Sequence, residues 1–167
     1  LVFSGTSATV TNCTFYGNSA GSPGAIVVAR NASGTLKNCI IWGNSSGIGA
    51  FQEATLNVTN SIVQGGYPGT GNLNADPLFV NASGGDFRLQ ACSSAINAGN
   101  NSLLPNGLSE DLAKQPRIFN NGTVDMGAYE YQGTYDVCTA CLNLTGGIVY
   151  VNASASGSNN GSSWANA

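Results

Sequence analysis

Charge is what this chain has least of. Lys, Arg, Asp and Glu together make up 8% of its 167 residues, against about a quarter in an ordinary globular domain. Histidine is absent, which removes the side chain best suited to proton transfer near neutral pH. No run of eighteen apolar residues occurs, so a membrane-spanning helix is excluded. The chain has neither an initiator Met nor a signal peptide. It opens at Leu1-Val2-Phe3 inside an apparent strand and reads as a segment of a longer polypeptide, any secretion signal lying outside it. The net charge of −3 and pI of about 4.5 argue against nucleic acid and anionic membrane surfaces as partners.

Gly, Asn, Ser and Thr fill the space that charge leaves. With 42% apolar residues the chain has enough for a core, so this is not the composition of disorder. It suits short strands joined by many turns, because Gly and Asn tolerate the left-handed backbone that turns require.

Three segments superimpose. They are Val10-Thr11-Asn12-Cys13-Thr14-Phe15-Tyr16-Gly17-Asn18, then Leu36-Lys37-Asn38-Cys39-Ile40-Ile41-Trp42-Gly43-Asn44, then the more degenerate Val58-Thr59-Asn60-Ser61-Ile62-Val63-Gln64-Gly65-Gly66. The matched Asn residues fall 26 and then 22 positions apart. Gly24-Ala25-Ile26 is read as answering Gly49-Ala50-Phe51. A period in the low twenties admits leucine-rich repeats or a β-helix. The Leu lattice of the former is missing, and short apolar–polar alternations point to half-buried strands. At about 3.3 Å per residue, such a period holds three short strands and their bends. The expected fold is therefore all-β, a right-handed parallel β-helix (a solenoid) with an irregular C-terminal cap. Residues 8–16 should pair in parallel with 34–42, and 34–42 with 56–64.

In this arrangement equivalent residues form columns. Val10, Leu36 and Val58 point inward, as do Cys13, Cys39 and Ser61, and Phe15, Ile41 and Val63. Asn12, Asn38 and Asn60 sit at a bend. The outward columns, Thr14 with Ile40 and Ile62 and Tyr16 with Trp42 and Gln64, form an apolar and aromatic stripe on a face that should be wet. Either the downstream chain folds back over it, or it is a contact for another chain or ligand.

After about residue 70 the chain changes character. Asn74-Ala75-Asp76-Pro77-Leu78-Phe79-Val80, Gly85-Asp86-Phe87-Arg88-Leu89, Ser94-Ala95-Ile96-Asn97-Ala98-Gly99-Asn100, Asp111-Leu112-Ala113 with Pro116-Arg117, and Val124-Asp125-Met126-Gly127-Ala128-Tyr129-Glu130-Tyr131 follow in order. This series, over roughly residues 8–131, resembles secreted bacterial right-handed β-helix proteins of the choice-of-anchor Q type. The departures are Cys92-Ser93 where that family more often has Gly-Ser, Ser94 where it has Pro, and Lys114-Gln115 where it has Gly-Asn. The resemblance implies an extracellular or cell-surface protein and no catalytic residue. Independently of it, the end of a β-helix needs a cap, and Asp111, Arg117 and Asp125 are expected to pin that cap, with Arg117 bridging carboxylates and backbone carbonyls.

The expected organisation is coils over 1–70, a closing region over 71–131, a Cys-containing linker over 132–146 and, over 147–167, the opening strand of a following unit. That last reading rests on Ile148-Val149-Tyr150-Val151 and the Ser163-Trp164-Ala165 stretch, which resemble the start of the same family. Residues 147–167 are too few to bury Ile148, Tyr150 and Trp164 alone, so those three join Tyr16, Trp42, Ile40 and Ile62 as candidate interface. Cys138 and Cys141 form a CxxC without redox or zinc context and are read as a disulfide candidate of a secreted chain. Cys13 and Cys39 are read as a buried thiol column. The chain holds ten Asn-x-Ser/Thr sequons, and the bacterial resemblance implies that most are bare.

Many β-helices cut polysaccharides, using clustered carboxylates and a strong base. The repeats carry only Arg30, Lys37 and Glu53, so no catalytic, cofactor or metal residue is assigned. The expected function is a structural or adhesive module of an extracellular fibre or surface protein, with copies of itself as partner. The alternative is a carbohydrate-binding β-helix attached to a polysaccharide-degrading protein, with Tyr16 and Trp42 stacking on sugars.

Overall fold

The repeat becomes three strands per turn of chain. The computed structural model describes residues 1–19 and 25–133. The first turn supplies β1 (Val2–Ser4), β2 (Ser7–Thr11) and β3 (Thr14–Tyr16). The second supplies β4 (Ile26–Ala29), β5 (Ser33–Lys37) and β6 (Ile40–Trp42), and the third β7 (Ile48–Phe51), β8 (Thr55–Thr59) and β9 (Ile62–Val63). Equivalent strands pair in parallel to give three sheets, β1-β4-β7, β2-β5-β8 and β3-β6-β9. The chain is thus all-β, with parallel sheets built from successive turns.

The register follows the matched columns. Val10 faces Leu36 and Leu36 faces Val58. Thr14 pairs with Ile40 and Ile40 with Ile62, Phe15 with Ile41 and Ile41 with Val63, and Tyr16 with Trp42. One secondary match is corrected. Gly49-Ala50-Phe51 pairs with Val27-Val28-Ala29, and Ile26 faces Ile48. Register here is set by which residues point inward, and Ile26 and Val28 are both buried. A shift by three would turn them out of the core.

The bends have a common cause. Asn12, Asn38 and Asn60 adopt φ of 50°, 51° and 46°, the left-handed region that Asn enters more easily than other non-glycine residues. Each turns its chain between the second and third sheets. Asn38 is fully buried, and its Nδ2 donates to Asn12 Oδ1 at 3.4 Å.

Two apolar clusters result. The inner one holds Ile26, Leu36, Cys39, Ile41, Val58 and Val63, with Phe3, Val10, Cys13 and Phe15 against it. The second lies outside β3-β6-β9 and joins Ile40 and Ile62 to Phe79, Leu89, Ala95 and Met126. Its cover is an antiparallel pair, β10 (Phe79–Asn81) and β11 (Asp86–Leu89), followed by irregular chain. In β11 the alternation is plain: Leu89 and Phe87 pack inward, while Asp86 and Arg88 form an ion pair on the other side. The outer face of β2-β5-β8 is polar, with Thr55 donating to Ser33, and it needs no cover.

Leu1–Gln132 forms one compact unit. The candidate residues Cys138, Cys141, Ile148, Tyr150 and Trp164 lie outside the described residues. No helix among the described residues is long and apolar enough to cross a membrane.

Urea denaturation of three variants tests this arrangement. Leu36→Asp should abolish folding, since an unpaired charge would enter the inner cluster. Asn38→Ala should cost about 2–4 kcal/mol, from left-handed strain and lost buried hydrogen bonds. Asn60→Ala, which loses no bond to the closing layer, should cost about 1–2 kcal/mol, mostly strain. Equal losses for the two Asn variants would contradict the special place of Asn38.

Candidate functional site

The closing layer is held to the sheets by the bend column. Asn12 Nδ2 donates to the Asp125 carbonyl at 3.1 Å, and Asn38 Nδ2 to the Asn100 carbonyl at 3.1 Å. In return the Asn100 amide donates to Asn38 Oδ1 at 2.9 Å, and the Gly127 amide to the Asn38 carbonyl at 2.8 Å. Gly127 has φ of 93°, and a Cβ there would stand 2.7 Å from Ile40 Cδ1 and 2.9 Å from Thr14 Oγ1. Only glycine lets the layer approach this closely.

Behind this contact sits a buried charged cluster: Asp111, Arg117, Asp125 and Glu130, with Arg117 only 2% exposed. The expected salt bridges are corrected. Arg117 makes no ion pair with Asp111 or Asp125, but the expected carbonyl contacts are present: its Nη2 donates to the carbonyls of Asp125 and Gly127. The carboxylates are engaged by main-chain amides. Asp111 Oδ1 accepts from Ala113 and Gln115, and its Oδ2 from Glu130. Asp125 Oδ1 accepts from Asn97 and its Oδ2 from Tyr131. Glu130 Oε2 accepts from Asp125. The reason is local. Irregular chain leaves amides without ladder partners, and buried amides must find acceptors. Glu130 escapes sequence reasoning, although it stands five residues beyond Asp125 in a motif already singled out.

Burial raises the carboxyl pKa values of Asp125 to about 6 and of Glu130 to about 7, with the amide donors pulling the other way. Burial also lowers that of Arg117, against the neighbouring carboxylates. Every carboxylate of the cluster thus serves the chain's own amides, an arrangement that fixes a layer in place. No group of three His, Cys, Asp or Glu side chains among the described residues could hold a metal ion.

The apolar stripe is divided. Ile40 and Ile62 are fully covered by the chain's own closing layer, so no other chain can reach them. Tyr16 and Trp42 are half-buried beside it. The Tyr16 ring meets Phe79 edge-on at 5.8 Å and Phe87 at 5.2 Å. The two aromatics line a groove of about 250 Å³ with Asp76, Leu78, Phe79 and Gln90. No disulfide forms among the described residues. Cys39 is buried and its thiol pKa is pushed up to about 12, and burial raises that of Cys13 as well.

Two outcomes follow from this chemistry. For Asp125 and Glu130 the folded pKa exceeds the unfolded one, so the folded chain binds more protons. Stability should therefore fall as pH rises from about 4 to about 7, then level off, by a few kcal/mol at most. The urea midpoint should be higher at pH 5 than at pH 8, and Glu130→Gln should flatten the upper part of that slope; a higher midpoint at pH 8 would contradict the assignment. For the thiols, iodoacetamide at pH 7.5 should leave Cys13 and Cys39 unmodified until urea is added, as read by mass spectrometry. Rapid native alkylation of Cys39 would contradict its burial.

Searches of family models, curated proteins and solved structures found no match to this chain.

Proposed function

We propose that residues 1–70 are the coils of a right-handed parallel β-helix, that residues 71–131 close it, and that the protein is a structural or adhesive module of an extracellular fibre or surface protein. The observation that carries this is the parallel pairing of matched strands into three sheets, β1-β4-β7, β2-β5-β8 and β3-β6-β9, with a closing layer packed over the third. At one end β1, β2 and β3 each pair on a single side, with β4, β5 and β6. There Val2 is 66% exposed, and Phe3, Val10 and Phe15 are only partly buried. At the other end the chain returns beside parts of β8 and β9, while β7, like β1, pairs on a single side. Leu73 bridges Ile62, the Asn60 amide donates to the Thr70 carbonyl, and Asn72 Nδ2 donates to the Val58 carbonyl.

Stacked parallel strands are extended by further strands in the same register. A further coil in the same register, from a tandem unit or from a second copy, would do so. A segment such as residues 147–167 of a neighbouring copy would supply one, and a contact of this head-to-tail kind propagates as a filament rather than closing as a dimer. The choice-of-anchor Q resemblance supports a secreted, surface-attached setting, and the engagement of the buried carboxylates with backbone amides favours a non-enzymatic role. The alternative, a carbohydrate-binding β-helix in a degradative protein, is favoured by the Tyr16–Trp42 groove.

Electron microscopy of the native material tests the proposal. Fibres are expected, and Val2→Lys with Thr9→Lys, which place charge on the exposed residues of β1 and β2, should shorten or abolish them while circular dichroism still shows folded β-structure. Isolated monomeric particles in the unmodified protein would sink it.

A further inference from the structure

The groove beside β3 and β6 joins parts of the chain far apart in sequence. Tyr16 and Trp42 come from adjacent strands of one sheet, and Asp76, Leu78, Phe79 and Gln90 from the closing layer. Its volume of about 250 Å³ lies just under the roughly 300 Å³ at which pockets for drug-sized ligands begin. One ring-sized unit of a longer molecule fits such a space better than a folded surface does.

Its polar groups are arranged for a ligand with many hydroxyls. Neither the Trp42 indole N–H nor the Tyr16 hydroxyl donates a hydrogen bond among the described residues. Asp76 is exposed, with Oδ1 accepting from the Leu78 amide at 2.8 Å, which leaves Oδ2 available. Gln90 spends its Nε2 on the Phe79 carbonyl at 2.8 Å, which leaves Oε1 as an acceptor. The lining thus combines spare acceptors on Asp76 and Gln90 with the aromatic carbon of Tyr16 and Trp42.

Two backbone features mark the groove. Gly43 has φ of 66°, and a Cβ there would stand 2.5 Å from the Tyr16 ring. Leu78 holds φ of 50°, a rare state for a branched side chain, and backbone strain of this kind gathers at ligand-contacting positions.

We propose that this groove is a subsite for one pyranose unit of a neutral glycan. The apolar C–H face of the sugar lies on Trp42 and Tyr16, as amphipathic aromatic rings favour. Its hydroxyls donate to Asp76 Oδ2 and Gln90 Oε1 and accept from the Trp42 N–H. Charge selects against acidic sugars: Asp76 is the one charged lining residue, and the chain carries a net −3. The inference rests on the adhesive reading for its biological sense, giving that reading a ligand class, but its test is separate.

The chain has two tryptophans, so Trp164→Phe leaves Trp42 as the sole indole reporter. In that background, fluorescence is titrated with cellotetraose, maltotetraose, mannotetraose, chitotetraose and the acidic tetragalacturonate. At least one neutral sugar should give a saturable change, and tetragalacturonate none. Asp76→Asn keeps the acceptor for the Leu78 amide and should weaken binding by about tenfold or more, and Trp42→Phe, followed by calorimetry, should weaken it too, both with unchanged circular dichroism. The inference is overturned by no saturable response to any neutral sugar, by equal binding of tetragalacturonate, or by binding indifferent to Asp76→Asn. Fibres without sugar binding would remove this subsite and leave the fibre standing; sugar binding by a permanent monomer would do the reverse.

Discussion

The structure depends on three asparagines that turn the chain at the same place in successive rungs. Asn12, Asn38 and Asn60 hold left-handed backbone without glycine, and so keep a side-chain amide at a point where the chain bends inward. An amide both donates and accepts. Asn38 uses both capacities, toward Asn12 and Asn100, while its own carbonyl receives the Gly127 amide. Glycine at that position would make the bend but could not hold the closing layer. One residue type thereby sets the turn between sheets, the alignment of neighbouring rungs and the docking of residues 97–127.

That docking explains why the outward face of one sheet is apolar and that of another is not. Along β2-β5-β8 the outward residues are Ser, Thr, Asn and Lys; along β3-β6-β9 they include Ile40, Ile62, Tyr16 and Trp42. A single rung has too little interior to hold such side chains as well as the inner cluster. The second cluster, closed by Phe79, Leu89, Ala95 and Met126, adds a separate apolar interior outside the third sheet. The buried charges follow from the same demand. The irregular cover brings amides that no strand can satisfy, and Asp111, Asp125 and Glu130 satisfy them at the cost of burying carboxylates.

The parallel register was legible because stacking places equivalent residues in contact, so each column had to be chemically consistent: Val10, Leu36 and Val58, or Asn12, Asn38 and Asn60. The match of Gly24-Ala25-Ile26 to Gly49-Ala50-Phe51 misled because small residues carry little information about which way a strand faces. Ile26 and Ile48, both apolar and three residues out of that alignment, held the answer. The stripe on the third sheet announced a cover but not its identity, since the residues that supply it share no period with the repeats. Asp111, Arg117 and Asp125 stood out because charge is so scarce, and all three are buried. Their partners did not, because a free backbone amide leaves no mark in a sequence. Glu130 and the Asp76–Gln90 side of the groove were hidden for the same reason, as each gains its meaning only from chain brought against it by folding.

The division of labour among the few ionisable groups also bears on what the protein can do. A carboxylate acts in catalysis when one of its oxygens can reach a substrate proton. In the buried cluster, Asp111 and Asp125 have both oxygens committed to amides, and Glu130 is nearly as enclosed. Freeing them would release the layer that covers Ile40 and Ile62. Asp76 is the contrast: it is exposed, half-used and set among aromatic rings, and rotation about its side chain disturbs one turn rather than the core. Groups that hold the layer are thus withdrawn from solvent, and those left at its margin can bind without unmaking the fold.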